Sequence, residues 1–287
     1  MKTRMFLILL VISSQGLGQI MEGTSNSVTI EVVKPKENDA DITLQTLGIT
    51  KVPKYYALVV GVSDYKNAGP KLPNLDMPSK DAGKLASLLV EKYTFDPKDV
   101  TLLKNPTRED LINEFELLDD KITEKDNLLI FYAGHGFYDK EKDFGYWLPS
   151  DAKIDSRSAW IANSTIKDYV GGINSKHTLL ITDACFGGSI FKTRSVDAII
   201  MQFNQMYKSN SRKAMTSGSL TEVPDKSIFL KYLIKALDEN NDVFLSASKL
   251  FNRIYEPITN NTSTLPQMGV IQGAGDEGGD FIFIKKK

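Results

Sequence analysis

The chain has 287 residues, of which 41% are hydrophobic and 25% are charged, and its formal net charge is −1. This composition is typical of a folded protein, and it provides no surplus of positive charge to hold a phosphate backbone, so nucleic acid is not an expected partner. The chain contains a single cysteine and two histidines. One cysteine cannot form an internal disulfide, and it is therefore either a small buried hydrophobe or a working thiol.

The first residues have the pattern of a secretory signal peptide. Two basic residues precede an apolar run over residues 5–12, and small or polar residues follow through Gly18. The apolar run is too short to span a bilayer comfortably, which disfavours a membrane anchor and favours cleavage near Gly18 or Gln19. We therefore expect a signal peptide over residues 1–19 and a secreted or periplasmic protein with no stable membrane anchor after cleavage.

Beyond a polar, weakly patterned arm over residues 20–53, apolar strands alternate with amphipathic helices. Strands are expected at residues 55–62 and 100–103, and a helix at residues 78–92. Thr107 and Asp110 form a capping-box pattern at the start of the next helix. The succession of strand, helix, strand, helix and strand predicts an α/β fold with parallel pairing and right-handed crossovers.

Two apolar runs end next to side chains that can take part in catalysis. The run over residues 127–132 stops at the glycine-flanked His135, and the run over residues 177–182 ends in Asp183 and the single cysteine, Cys185. Runs without polar alternation suit strands that are buried on both faces, and neighbouring parallel strands end at the same edge of the sheet, where ligands bind. A histidine beside a thiol favours the thiolate, which is the attacking species in acyl transfer.

The motifs around these two residues resemble those of the caspase-like cysteine peptidases, in particular the metacaspases and bacterial caspase homologues of the clan that includes clostripain. Residues 132–136 read Tyr-Ala-Gly-His-Gly, residues 183–188 read Asp-Ala-Cys-Phe-Gly-Gly, and His135 precedes Cys185 by fifty residues. The resemblance implies a caspase-like α/β/α sandwich with a mainly parallel central sheet of about six strands. The peptidase domain would cover residues 54–287.

The resemblance also divides this domain into three parts. A large-subunit-like part would cover residues 54–191, a linker residues 192–213, and a small-subunit-like part residues 214–287. The linker is rich in Lys, Arg, Ser, Asn and Gln, which is the composition of a solvated connection. In the resembling family this junction is often cut autocatalytically.

By resemblance, Cys185 is the nucleophile, His135 is its base, and the N–H groups of Gly136 and Cys185 form the oxyanion hole. The sequence gives no third member of a triad, which agrees with a family that typically works with a dyad. The second histidine, His177, lies at the start of its strand and therefore at the wrong end of the sheet. We interpret it as a surface or strand-entry residue.

Asp183 is the candidate for substrate selection. Residues 183 and 185 point to the same side of a strand, so the carboxylate can face the side chain before the scissile bond, where it would prefer Arg or Lys. Animal caspases carry glutamine here, whereas metacaspases and clostripain-like enzymes carry aspartate. Asp81 resembles a second pocket aspartate of metacaspases, but it equally suits the acid that a helix N-terminus favours. Metacaspases commonly carry serine at the position of Ala133, and we do not expect the alanine to abolish activity.

The sequence predicts no cofactor and no metal site. Zinc requires several Cys or His ligands at short spacing, which the chain lacks. Calcium activates some metacaspases, but Asp139, Glu141 and Asp143 alternate with lysines as in a solvated loop, so we expect no calcium requirement.

The prediction is therefore an exported cysteine endopeptidase that cleaves protein or peptide substrates after Arg or Lys, and the sequence says nothing about its oligomeric state. Two alternatives remain. One is a catalytically silent caspase-fold module that binds a peptide or partner. The other is a peptidase in which Asp183 is structural and the substrates are aliphatic or acidic.

Overall fold

The computed structural model describes residues 53–184, 203–218 and 226–286, which form eleven strands, six α-helices and two short 3-10 helices, Pro97–Asp99 and Arg157–Ala159. The strands are β1 (Tyr55–Gly61), β2 (Val100–Lys104), β3 (Asn127–Ala133), β4 (Gly136–Asp139), β5 (Phe144–Trp147), β6 (Ile161–Ala162), β7 (His177–Asp183), β8 (Ser211–Thr216), β9 (Phe244–Ser246), β10 (Gln267–Val270) and β11 (Ile282–Ile284). The helices are α1 (Pro78–Lys92), α2 (Arg108–Lys121), α3 (Asn163–Gly172), α4 (Phe203–Lys208), α5 (Ile228–Asp238) and α6 (Ala247–Thr259).

Six of the strands form the central sheet, in the order β10-β8-β7-β3-β1-β2. Five of them run parallel, and β10 alone is antiparallel, at one edge. Every residue of β1, β3 and β7 is buried, because helices cover both faces of the sheet. The predicted mainly parallel sheet of about six strands is confirmed.

Alternate residues of the central strands enter two separate cores. One core contains Val59, Phe131 and Ile181 together with apolar residues of α1, α5 and α6. The other contains Leu58 and Ile130 together with apolar residues of α2 and α3. Because successive strand side chains point to opposite faces, this division produces the predicted α/β/α sandwich.

Local sequence signals mark several element boundaries. Helix α1 spans the predicted residues, and Thr107 caps α2 through the predicted capping box with Asp110. Strand β5 pairs with β4 and β6 in a separate three-stranded sheet. The closing strand, β11, pairs with β9 outside the central sheet. No helix of the described ranges is long and apolar enough to cross a bilayer.

The interpretation of residues 192–213 as a solvated connection is wrong for its final residues. Residues 192–202 lie outside the described ranges, but α4 and the first half of β8 occupy residues 203–213. Arg212 is buried, and its guanidinium donates to the carbonyl oxygens of Val170 at 3.0 Å, Ser175 at 2.8 Å and Ser211 at 2.9 Å. A charged side chain can be buried here because backbone carbonyl oxygens at the end of α3, in the loop after it and in β8 accept its hydrogen bonds.

His177 begins β7, as expected for a strand-entry residue, but the expectation that it could lie at the surface is wrong. Its side chain is buried. Nδ1 lies 2.7 Å from the side-chain oxygen of Asn127, and Nε2 lies 3.1 Å from the carbonyl oxygen of Tyr207. Burial lowers the pKa of His177 to about 3, so the ring is neutral at physiological pH.

Candidate active site

Strands β3 and β7 are parallel neighbours, and their last paired residues are Ala133 and Asp183. His135 follows two residues after Ala133, and residue 185 follows two residues after Asp183. Cys185 itself lies outside the described residues, whereas the preceding Ala184 is described and buried. The expectation that the two runs are neighbours in one sheet is confirmed, and the chain leaves both strands at the same edge.

The backbone of His135 is held by groups from three separate segments. Its N–H donates to Tyr65 Oη at 2.7 Å, and its carbonyl oxygen accepts from the Leu148 N–H at 3.1 Å and from Tyr132 Oη at 2.9 Å. The Tyr65 ring also packs against the imidazole, with 5.0 Å between the ring centroids. Tyr65 and Tyr132 are buried, so these contacts fix the histidine from the protein interior.

The ring of His135 has a backbone partner that sequence reasoning missed. Nε2 lies 2.8 Å from the carbonyl oxygen of Pro73. A carbonyl oxygen can only accept, so Nε2 carries the hydrogen and Nδ1 is the basic nitrogen of the neutral ring. No sequence signal could have identified this partner, because every residue carries a carbonyl and only the path of the loop before α1 selects Pro73.

The ladder between β4 and β5 fixes the direction of the Gly136 N–H. The Leu148 N–H donates to the His135 carbonyl oxygen, and the next pair in register is Gly136 with Trp147. Hydrogen-bonded and non-hydrogen-bonded pairs alternate along an antiparallel ladder, so Gly136 and Trp147 form a non-hydrogen-bonded pair. The Gly136 N–H consequently points away from β5, next to the histidine.

Asp183 ends β7 as a buried carboxylate. The pKa of Asp183 is raised to about 6, mainly by burial; the hydroxyl of Ser227 acts in the opposite direction, and the charge of Asp81 adds to the rise. The carboxylate oxygen Oδ1 has no hydrogen-bond partner among the described residues. A buried polar atom without a partner destabilises a fold and therefore requires an explanation, and strongly shifted pKa values are concentrated at functional sites.

Asp81 lies in the first turn of α1, on the face of the sheet to which Asp183 also points. Its side chain is 12% exposed, and one carboxylate oxygen lies 2.9 Å from Lys84 Nζ. Its effect on the pKa of Asp183 means that the two carboxylates interact. Ser227, which caps α5, contributes the third polar group, so the cluster lies where α1 and α5 begin.

Gly61 allows α1 to begin this close to the sheet. A Cβ atom at this position would lie 2.5 Å from the Pro78 carbonyl oxygen, which is closer than real Cβ contacts. The absence of a side chain at the end of β1 therefore lets the first turn of α1, with Asp81, lie against the edge where His135 emerges.

Two of the three carboxylates considered for calcium, Asp139 and Asp143, have protein partners. Asp139 accepts from Arg157 at 3.0 Å, and this hydrogen bond lowers the pKa of Asp139. Asp143 accepts from the Tyr138 hydroxyl at 2.7 Å. Within residues 53–184, 203–218 and 226–286, no group of three or more Cys, His, Asp or Glu side chains is arranged to hold a metal ion.

A family model for the caspase domain matches residues 54–274, and the chain therefore belongs to the caspase-domain family of peptidases. Among solved structures, it is similar to a structural-genomics target protein from Geobacter sulfurreducens, with a TM-score of 0.54 and 15% identity over 80% of this chain and 100% of that one. It is also similar to caspase-1 from Spodoptera frugiperda, with a TM-score of 0.54 and 13% identity over 76% of this chain and 87% of that one.

At these identities the two structures show a shared fold alone. A search of curated proteins returned no match. The family and the fold that the sequence motifs predicted are both confirmed.

Proposed function

We propose that this protein is an exported cysteine endopeptidase that cleaves protein or peptide substrates after Arg or Lys. The observation that carries the proposal is the buried carboxylate of Asp183, whose Oδ1 has no partner among the described residues. Asp183 pairs with Ala133 at the edge of the sheet from which the His135 segment emerges. The caspase-domain family supplies the general class, a cysteine-type peptidase.

The proposed reaction begins with proton transfer from the Cys185 thiol to Nδ1 of His135. The thiolate attacks the scissile carbonyl carbon, and the N–H groups of Gly136 and Cys185 donate to the resulting oxyanion. The imidazolium then gives its proton to the leaving amine as the C–N bond breaks. Water, deprotonated by the same imidazole, hydrolyses the thioester and regenerates the thiol. The Pro73 carbonyl favours this cycle because it accepts from Nε2 throughout.

The proposed specificity comes from the paired carboxylates. An arginine side chain in the pocket would donate to the unpartnered Oδ1 of Asp183, and its positive charge would reduce the repulsion between Asp183 and Asp81. With a pKa of about 6, Asp183 is mostly ionised at neutral pH, and a bound cation favours the ionised form further. An acidic substrate side chain would add a third negative charge to the same site.

We also propose self-processing within residues 192–213, and the described structure narrows the choice of bond. Arg212 is buried in β8, and Lys213 follows it in the same strand, 3.3 Å from the buried Asp280. Lys208 is the last residue of α4. Lys208, Arg212 and Lys213 lie in regular structure and are therefore poor cleavage sites. This leaves Lys192 and Arg194 as the candidate residues before the cleaved bond.

Fluorogenic peptides that end in Arg, Lys or Asp test the proposal. We expect the wild type to hydrolyse the Arg and Lys peptides, and Cys185→Ala and His135→Ala to be inactive. Hydrolysis of the Asp peptide alone would refute the pocket assignment. No turnover of any peptide, together with a Cys185 that alkylates no faster than a free cysteine at neutral pH, would instead support a silent binding module.

Intact-mass analysis tests the self-processing. We expect the wild type to yield fragments cut after Lys192 or Arg194, and Cys185→Ala to remain whole. Identical uncut masses for both proteins would remove this part of the proposal. Fractionation of expressing cells tests export: loss of about the first 19 residues from the extracytoplasmic protein is expected, whereas an intact N-terminus in the cytoplasm would contradict it.

A further inference from the structure

Asn105, in the turn between β2 and α2, has an unusual backbone and a fully engaged side chain. Its φ of 54° lies in the left-handed region, which among the described non-glycine residues only Asp143 shares. Asparagine tolerates this region better than most residues, but the conformation still requires support from its surroundings. The support comes from hydrogen bonds to two other segments.

The Asn105 amide joins the end of β1 to the turn after β2. Its Oδ1 accepts from the N–H groups of Ser63 at 2.7 Å and Asp64 at 3.0 Å, and its Nδ2 donates to Asp64 Oδ2 at 2.7 Å. The Asn105 N–H donates to the Gly61 carbonyl oxygen at 2.9 Å. One side chain therefore fixes the point at which the chain leaves β1.

The same amide reaches the start of α1. Ser79 Oγ lies 3.1 Å from Asn105 Oδ1, and the Ser79 N–H donates to Ser63 Oγ at 3.0 Å. Further along the loop, the Leu75 N–H donates to the Ser63 carbonyl oxygen at 2.8 Å. Asn105 therefore fixes Ser63, and the far end of the loop over residues 63–75 is bonded to that same residue through Leu75.

This loop supplies two of the contacts that hold His135. Tyr65 Oη accepts from the His135 backbone N–H, and the Pro73 carbonyl oxygen accepts from Nε2 of its ring. A shift of the loop would move both acceptors together. Because a proton-transfer group loses efficiency when its geometry changes by about 1 Å, the closure of this loop bears directly on the chemistry.

We propose that Asn105 is a positioning residue for His135. By fixing Ser63, on which the loop over residues 63–75 closes, it keeps the Pro73 carbonyl oxygen on Nε2 and thereby stabilises the imidazolium that forms when Cys185 loses its proton. The inference rests on the proposed function, since it requires His135 to act on Cys185.

Three variants test this role. Asn105→Gly keeps the left-handed backbone without strain and removes every side-chain hydrogen bond. Asn105→Asp keeps an acceptor for the two backbone N–H groups but loses the donor to Asp64, so it retains the fold while weakening the closure. Thr107→Ala is the matched control, because it removes the capping box of α2 two residues away without touching the loop.

The primary readout is the rate of Cys185 alkylation by iodoacetamide as a function of pH, which is unambiguous because the chain has one cysteine. We expect the wild-type thiol to titrate below the ordinary value of about 8.5. In Asn105→Gly its pKa should rise by about one unit, and kcat should fall on the order of 10- to 100-fold with little change in KM. Asn105→Asp should be intermediate, and Thr107→Ala should match the wild type in both measurements.

The outcomes separate the two proposals. If Asn105→Gly or Asn105→Asp is merely less stable, with the alkylation profile and kcat of Thr107→Ala, the positioning role is refuted and the peptidase proposal stands. If the wild-type thiol titrates as an ordinary cysteine and His135→Ala leaves its profile unchanged, the dyad itself fails. If Asn105→Gly does not fold, the comparison of Asn105→Asp with Thr107→Ala decides the question.

Discussion

Replacement of Asp183 by asparagine should change activity and stability in opposite directions. The substitution preserves the shape of the side chain and removes its charge. In the wild type, burial raises the pKa of Asp183 from 3.8 to about 6, which means that folding disfavours the ionised form. At 1.36 kcal/mol per pKa unit, this corresponds to about 3 kcal/mol at neutral pH.

The sign of the pH dependence follows from this shift. Between pH 4 and pH 6 the folded protein holds a proton on Asp183 that the unfolded chain releases, so this residue makes the wild type less stable as pH rises through that range. The amide side chain of the variant cannot titrate. We therefore expect the Asp183→Asn protein to be more stable than the wild type at pH 7, by about 1–3 kcal/mol, and the difference to vanish near pH 4.

The activity of the Asp183→Asn protein toward an Arg peptide should be lower than that of the wild type. The loss of a buried charged partner typically costs about 2–5 kcal/mol of binding, so kcat/KM for an Arg peptide should fall on the order of 100-fold. A peptide with citrulline, the neutral analogue of arginine, provides the matched control and should be hydrolysed by both proteins at similar rates. In the wild type, kcat/KM for the Arg peptide should also fall as pH drops below about 6.

Urea denaturation at pH 7 and pH 4.5, combined with hydrolysis of both peptides, tests these expectations. If Asp183→Asn hydrolyses the Arg peptide as fast as the wild type does, Asp183 does not bind the substrate cation. If the variant is instead less stable than the wild type at pH 7, the carboxylate contributes to the fold, and the interpretation of Asp183 as a structural residue is supported.

Three further predictions concern the scaffold. Arg212→Met should lower the free energy of unfolding by roughly 3 kcal/mol in urea titrations, because it leaves several buried carbonyl groups without a donor; an unchanged midpoint would contradict this. The pKa of His177, lowered to about 3, should make the wild type lose stability as pH falls below 6.5, and a His177→Gln protein with the same acid profile would refute that origin. Gly61→Ala should lower Tm, because the added methyl group overpacks against Pro78 at a cost of about 1–3 kcal/mol. It should also raise KM for the Arg peptide by displacing α1. A variant with the Tm and KM of the wild type would show that α1 moves freely.

The elements that the sequence predicted best are those with strong local signals. The apolar runs of β3 and β7 favoured strands covered on both faces, and Thr107 with Asp110 marked the start of α2 because a capping box depends on neighbouring residues alone. The adjacency of β3 and β7 was expected from their two matching apolar runs, and the observed register agrees with it.

The groups that the sequence could not reveal are defined by distant parts of the chain. The Pro73 carbonyl contacts a ring that is 62 residues away, and the hydrogen bond from Ser63 N–H to Asn105 Oδ1 spans 42 residues. Composition also misled the interpretation of Arg212, because a cluster of basic and polar residues ordinarily indicates solvent. Its burial depends on carbonyl groups near the end of α3, which no property of residues 192–213 could indicate.

The adjacency of β7 and β8 has a consequence for the fate of a nicked chain. Six backbone pairs join these strands across the segment that contains residues 192–202, and α5 and α6, both beyond that segment, share a core with α1 before it. Severing the polypeptide there would leave this hydrogen-bonded seam and the shared apolar core intact. The two pieces should therefore copurify under native conditions and separate only in denaturant.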